Sequence, residues 1–432
     1  MLSKKTIRDI DINGKTVLIR VDYNTPFSEH GVITDDYRIR QTLPTITYAL
    51  DKGAKVILIS HLGRPGGKPD PALSLKPAAI KLAKLIDKPV AFIPDCIGPD
   101  TSKQITELSL GSVALLENLR FHPQEESNDE NFAKELASYA DFFVQDGFGV
   151  VYRKHASVEA VTHFLPSVAG LLLEKEVNAI QSATQNPQKP LAVVIGGLKV
   201  SDKIKMVEHY CQTADYVAVI GAMANTFLMA DGVQVGSSQV EPENLENAKN
   251  VIANARKRMK QEPFTFYLPT DVVVAKSRDA SCLTRVVDVS QHTWSDIISY
   301  PKTPQPETYT IQPEEMILDI GPISAASIAG SLKMANTALW NGMAGVTEIK
   351  GINGAFDPFA HGTKVITDAL SGGQNNDMAK PFTIIAGGDT VAYIESIDGL
   401  RDKFSYVSTG GGAALELMAG NKLPGIEALE NK

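Results

Sequence analysis

SVAGLLLEKEVNAIQSATQN, residues 167–186, is the stretch on which the reading of this chain turns. Pro166-Ser167 offers a helix start with Ser167 as N-cap. Asn186-Pro187 offers a stop, because the residue before a proline is pushed out of the helical region. Between them Leu172, Leu173, Glu176, Val177 and Ile180 recur at helical spacing, while Glu174 and Lys175 interrupt the apolar run and exclude a membrane span. At about 1.5 Å per residue, such a helix reaches roughly 27–30 Å. The sequence on either side repeats one theme, so the spacing predicts a strut between two lobes. The alternative is an ordinary surface helix inside one domain.

Before the helix, apolar β-branched runs fall at Thr16–Val21, Lys55–Ser60, Pro89–Ile93, Ser112–Glu117 and Phe142–Gln145. Helical patterns such as Arg40–Lys52, Pro77–Asp87 and Glu130–Tyr139 separate them. Strands alternating with helices imply βαβ units, and near-continuous apolar strands imply a parallel sheet covered on both faces. After the helix the theme resumes at Leu191–Ile195, Tyr216–Ile220, Thr265–Leu268, Met316–Ile320, Thr337–Asn341, Phe382–Ala386 and Phe404–Ser408. Glu243–Lys260 and Ile323–Met334 read as helices between them, and Val286–Thr310 reads as an irregular surface excursion. The expected fold is α/β, two lobes with mainly parallel sheets joined by a central helix.

At 432 residues the chain exceeds what one core usually fills, which fits two domains. A hydrophobic content of 43% with 21% charged residues is that of an ordinary soluble globular protein. The net charge of -8 argues against a general nucleic-acid binder. Cys96, Cys211 and Cys282 are odd in number and form no C-x-x-C pair, so neither a disulfide framework nor a zinc site is expected from spacing. No signal peptide opens the chain and no apolar run approaches the roughly 20 residues that cross a bilayer, which makes a cytoplasmic location the expectation.

Ligands of open α/β sheets bind beyond the carboxyl ends of the strands. In the first half those ends carry Asp22 and Asn24, then His61 and Arg64, then Arg120, then Gly147 and Gly149, with Arg153 beyond and Arg38 after the first loop. Arginine forks match phosphate and carboxylate, so several at equivalent positions point to a small, highly anionic ligand. The second half carries glycine instead: Gly196-Gly197-Leu198-Lys199, Gly221-Ala222, Gly321-Pro322, Asn341-Gly342, Gly387-Gly388-Asp389-Thr390 and Gly410-Gly411-Gly412. Glycine between strand and helix lets backbone N–H groups approach phosphate. Lys199 and Lys203 add positive charge, and Asp389 is a candidate anchor for magnesium. No P-loop, serine-hydrolase elbow or H-E-x-x-H occurs, and Leu415 breaks a dinucleotide fingerprint after Gly410-x-Gly412.

Arg20-Val21-Asp22-Tyr23-Asn24-Thr25-Pro26 resembles the opening signature of phosphoglycerate kinases. So do Ser60-His61-Leu62-Gly63-Arg64-Pro65, Glu117-Asn118-Leu119-Arg120-Phe121, Lys199-Val200-Ser201-Asp202-Lys203, Asp319-Ile320-Gly321-Pro322, Trp340-Asn341-Gly342, Gly388-Asp389-Thr390 and Ser408-Thr409-Gly410-Gly411-Gly412, in family order along the chain. The resemblance implies two Rossmann-like lobes: 1–166 for phosphoglycerate, 167–186 as hinge helix, 187–408 for nucleotide, and 409–432 returning to the first lobe. It implies reversible, magnesium-dependent phosphoryl transfer between 1,3-bisphosphoglycerate and ADP, giving 3-phosphoglycerate and ATP, by a monomer. Asp22, Asn24, Arg38, His61, Arg64, Arg120 and Arg153 would hold phosphoglycerate. Gly197, Lys199, Lys203, Gly221, Asn341, Glu348, Gly387, Gly388, Asp389 and Thr390 would face the nucleotide and its metal, with Asp389 as the metal residue. Arg38 and Lys203 would neutralise charge on the moving phosphoryl group.

The chain departs from the family pattern at Val151-Tyr152, where Ala-His is usual, and at Leu198, Ile220, Met343, Thr347 and Ala386. Most of these lie on the nucleotide side and bear on base selectivity and affinity more than on the reaction. A relative that holds metabolite without catalysis is one alternative. A nicotinamide-dependent dehydrogenase is the other, and the broken fingerprint speaks against it.

Overall fold

The computed structural model describes residues 2–27, 32–290, 310–372 and 380–432. The chain divides into two compact units: Met1–Gln181 with Thr409–Leu417 and Asn421–Lys432, and Ser182–Ser408 with Met418–Gly420. In the first, β1 (Thr16–Arg20), β2 (Lys55–Ile59), β3 (Val90–Ile93), β4 (Val113–Leu116), β5 (Phe142–Gln145) and β6 (Ser167–Ala169) form one parallel sheet in the order β3-β4-β2-β1-β5-β6. Its strands are apolar through their middles, with polar residues such as Arg20, Lys55 and Gln145 only at their ends, because both faces are covered. Val17, Ile19, Val56 and Leu58 pack with Ile39, Ile46 and Leu82 of the Tyr37–Asp51 and Lys76–Ile86 helices. The alternate residues Leu18, Ile57 and Ile59 pack with Ile105 and Phe132 of the Pro99–Glu107 and Glu130–Ala137 helices. The chain leaves β1 toward β2 on one side and returns as β5 on the other, so the strand order reverses at β1 and a crevice opens beyond the strand ends there.

The second unit contains β7 (Leu191–Ile195), β8 (Tyr216–Val219), β9 (Thr265–Tyr267), β13 (Thr337–Asn341), β14 (Phe382–Ala386) and β15 (Tyr406–Val407), again parallel, in the order β15-β14-β13-β7-β8-β9. The two six-stranded parallel sheets agree with the expected pair of Rossmann-like lobes. Met316–Ile320 does not join them. It is β12 of a separate antiparallel sheet, paired with β10 (Asp271–Ala275), which also pairs with β11 (Arg285–Asp288). The start of the expected excursion at Val286 is thus strand, and residues 291–309 lie outside the described residues.

The connecting helix spans Leu171–Thr184, shorter at both ends than residues 167–186. Ser167 is not its N-cap: it opens β6, paired with Phe143. The cap comes from far upstream, because Oδ1 of Asp146 accepts the N–H groups of Leu172 (2.9 Å) and Leu173 (3.2 Å). A Cβ on Gly170 would lie 2.1 Å from that oxygen, so glycine here gives the carboxylate its access. The C-terminal residues complete the first unit: Lys5 N–H donates to Glu430 O, and the Thr409 N–H and hydroxyl both donate to Oε1 of Glu176.

Burial pushes the Asp146 carboxyl up to about 7, although the Thr45 hydroxyl and the two helix N–H groups pull it down. The folded state therefore keeps a proton that the unfolded chain releases near pH 4, and this group's contribution to stability falls as pH rises through about 7. Asp146→Asn should flatten that window relative to the parent, by a few kcal/mol at most at about 1.4 kcal/mol per unit. Urea midpoints of both proteins from pH 4 to 8 test this, and parallel curves would refute it.

Candidate active site

In the first unit the turns after β1, β2 and β4 are tied to one another. Asn24 Oδ1 accepts from Gly63 N–H (2.9 Å), Asn118 Oδ1 from Leu62 N–H (3.1 Å), and Arg120 Nη1 donates to Gly63 O (2.7 Å). These bonds bring Asp22, Asn24, His61 and Arg120 to one end of the sheet. Arg38, from the first turn of the Tyr37–Asp51 helix, donates to Oδ2 of Asp22 at 2.7 Å. Burial works against the Asp22 charge, but Arg38, then His61 and Arg20, outweigh it and hold the carboxyl below its ordinary value. Burial, with Arg20, Arg120 and Arg38 adding to it, lowers the His61 imidazole well below its usual range against the pull of Asp22, so it is neutral at pH 7. Arg64 is exposed just beyond Gly63. Arg153 is half-buried, 4.9 Å over the Tyr152 ring, and close enough to depress the ionisation range of Arg120.

One member was not singled out from the sequence. Arg20 ends β1 fully buried, donating Nε–H to Ser157 Oγ (2.8 Å), with Nη2 3.3 Å from His61 Nδ1 and 4.0 Å from Glu125 Oε1. An arginine closing an apolar strand was the available signal, since so buried a charge has to serve a network.

In the second unit a cavity of about 740 Å³ opens at the strand ends. Gly197, Gly221, Glu348 and Asp389 line it; Lys199, Lys203, Asn341, Gly387, Gly388 and Thr390 do not. Lys203 and Asn341 are joined beside it. Nζ of Lys203 donates to Asn341 Oδ1 (2.5 Å), Asn341 O (3.2 Å) and Gly196 O. Burial brings the Lys203 ammonium down to about 8, against the pull of Asp389 and Asp202. Thr390 Oγ1 accepts Gly342 N–H (2.8 Å), and Gly387 lies next to the Asn341 amide. Lys199 and Gly388 are exposed. The lining residues Leu318, Val346 and Tyr393 escaped the sequence reading. For Tyr393 a signal existed, since it stands one helical turn after Asp389 in the Gly388–Glu395 helix.

A family model described as phosphoglycerate kinase matches residues 7–421. The chain belongs to the phosphoglycerate kinase family. It is 43% identical to the phosphoglycerate kinase of Koribacter versatilis, over 100% of both chains. It is 44% identical to that of Desulforapulum autotrophicum, over 99% of this chain and 100% of the relative. Among solved structures, phosphoglycerate kinase from Coxiella burnetii matches with a TM-score of 0.80 at 34% identity, covering 98% of each chain. That from Pyrococcus horikoshii OT3 matches with a TM-score of 0.76 at 30% identity, covering 99% of this chain and 98% of that one. As a phosphoglycerate kinase family member the chain is a kinase with a carboxyl group as acceptor, working on small molecules that include a nucleotide. Among the described residues no helix is long and apolar enough to cross a membrane.

The departures from the phosphoglycerate kinase pattern take definite places. Tyr152 packs against Gly412 and carries the Arg153 guanidinium on its ring. Met343 and Thr347 line the second-unit cavity, Ile220 and Ala386 are buried at strand ends, and Leu198 is 54% exposed. The glycine in Asn341-Gly342 has a steric reason: its φ is +107°, and a Cβ would lie 2.0 Å from Gly196 O. Gly342→Ala should destabilise the second unit by at least about 1–3 kcal/mol, the usual cost of such backbone strain. Denaturant unfolding against the parent checks this, and an unchanged midpoint would contradict it.

Proposed function

We propose that this chain catalyses reversible, magnesium-dependent phosphoryl transfer between 1,3-bisphosphoglycerate and ADP, giving 3-phosphoglycerate and ATP. The observation that carries the reading is the pairing of a guanidinium-rich crevice in one unit with a glycine-walled, lysine-flanked cavity in the other. Asp22, Asn24, Arg38, His61, Arg64, Arg120 and Arg153 hold the phosphoglycerate, and Gly197, Gly221 and the Gly387-Gly388-Asp389-Thr390 turn hold the nucleotide phosphates. Lys199, Asn341 and Glu348 complete the nucleotide side.

The acceptor of phosphate from ATP is a carboxylate with an ordinary pKa of about 3.5, so it is ionised at neutral pH and needs no general base. The titratable groups support that economy. His61 is neutral, buried and committed to the Arg20–Asp22 network. Asp319, which burial raises to about 7, is taken up by the N–H groups of Gly362 and Ile320. Catalysis then consists of in-line positioning and neutralisation of charge on the moving phosphoryl group, by Arg38 from one unit and Lys203 from the other.

The donor set fits magnesium: Asp389 offers an exposed carboxylate on the cavity wall, and this ion is commonly held by one or two carboxylates plus phosphate oxygens and water. Bound there, it would neutralise phosphate charge. Donor and acceptor belong to separate units, so closure about the Leu171–Thr184 helix aligns them and excludes water, which otherwise would compete as acceptor. The protein works as a cytoplasmic monomer.

A coupled assay for ATP formation from 1,3-bisphosphoglycerate and ADP tests the reading. Turnover that requires Mg²⁺ and stops with chelator is expected. No ATP formation, with 3-phosphoglycerate still bound, would replace it by a metabolite-holding role.

A further inference from the structure

The turns after the neighbouring strands β3 and β4 bring together three side chains that the phosphoryl-transfer reading does not use. Asp95 and Cys96 follow β3, and His122 follows β4. One ligand atom from each lies within 4.8 Å of the others. Nε2 of His122 is 2.8 Å from Oδ1 of Asp95, and that oxygen also accepts the Cys96 N–H at 2.6 Å. The imidazole is steadied by the Phe132 ring, 5.6 Å away between centroids, and Cys96 is packed in the same apolar cluster as Phe132.

A histidine bonded to an aspartate needs no metal to account for it. Two further features do point to one. The buried Cys96 thiol lies within 4.8 Å of the imidazole and carboxylate ligand atoms, which makes a nitrogen, oxygen and sulfur donor set. In addition, Asp95 and His122 form part of the wall of a mainly apolar cavity of about 590 Å³, which leaves room for water as a fourth ligand. Donors around one zinc-sized ion sit about 3.3–3.7 Å apart, from bond lengths of about 2.0–2.3 Å. The widest separation in the cluster, which is within 4.8 Å, would therefore close by up to about an ångström, while His122 Nε2 and Asp95 Oδ1, 2.8 Å apart, would open by about half an ångström as the metal replaces their hydrogen bond.

We propose that Asp95, Cys96 and His122 bind one divalent transition-metal ion of the zinc class. The thiolate and imidazole select such an ion over magnesium, which prefers oxygen alone. Binding replaces the Cys96 S–H bond by a sulfur–metal bond and releases the proton to solvent, so affinity rises with pH. The site belongs to the turn that carries Arg120, two residues before His122, but uses none of the groups assigned to phosphoglycerate.

The test is a titration of the reduced, metal-freed full chain with Co²⁺ in excess Mg²⁺, without nucleotide. One Co²⁺ per chain with thiolate-to-cobalt charge-transfer absorption is expected, displaced by Zn²⁺ and retained in Cys211→Ser and Cys282→Ser. His122→Ala, whose side chain is only partly buried, should weaken binding at least about a hundredfold, exceeding the usual cost of losing an outer-shell partner. Cys96→Ala should abolish the sulfur band. Absence of that band in the parent, its persistence in Cys96→Ala, or unchanged affinity in His122→Ala would each overturn the proposal.

Discussion

Arg38→Ala is expected to lower kcat for ATP formation at least about a hundredfold, the scale seen when a preorganised charge contact at a reacting group is removed. Arg38 stands half-exposed at the helix start, with one guanidinium nitrogen on Asp22 and the rest of its fork available to ligand. Its loss also removes the charge that does most to offset the burial of Asp22, so that carboxyl should titrate higher in the variant. A drop in rate caused only by loosened structure would be matched by a lowered unfolding midpoint at pH 7. Arg38→Lys separates the effects, since it keeps a charge near Asp22 without the planar fork, and should recover stability more than turnover. Near-normal kcat in Arg38→Ala would remove Arg38 from the chemistry.

Lys203→Ala should cost at least as much, about a hundredfold or more in kcat. The ammonium is aimed by Gly196 O, Asn341 O and Asn341 Oδ1, and the substitution removes that donor, Asn341 O keeping only the Gly196 N–H. The same residue sets a pH dependence. Burial lowers its ionisation to about 8, so the positive charge is present below that pH and lost as pH rises through it. The rate should therefore fall on the alkaline side. Lys203→Arg stays charged throughout, so that limb should vanish, at reduced rate because the guanidinium does not fit the ammonium's acceptors. Full-speed turnover by Lys203→Ala, or an alkaline limb retained in Lys203→Arg, would contradict the assignment.

The parallel sheets were legible because covered strands must be apolar at nearly every position, as at Leu191–Ile195, where the reading and the structure coincide. Direction was not legible. Met316–Ile320 is also apolar apart from Asp319 but belongs to an antiparallel sheet, because its partner β10 approaches from the opposite sense and apolar content does not encode that. Ser167 shows a local rule losing to a distant one. Its N-cap chemistry is sound, yet pairing with β5 claims it and Asp146 supplies the cap. At the sites, charged residues at strand ends stood out because such positions rarely serve packing. Leu318 and Val346 did not, since an apolar cavity wall reads in sequence like core.

The central claim is a division of labour, acid sugar on one unit and nucleotide on the other. Calorimetric titration of Arg64→Ala and Asp389→Asn, both exposed positions, with 3-phosphoglycerate and with Mg·ADP tests it most directly. Arg64→Ala should weaken 3-phosphoglycerate about tenfold or more, the worth of a charged hydrogen bond, and leave Mg·ADP unchanged, with Asp389→Asn doing the reverse. If either variant weakened the opposite ligand, or both ligands alike, the account would be wrong.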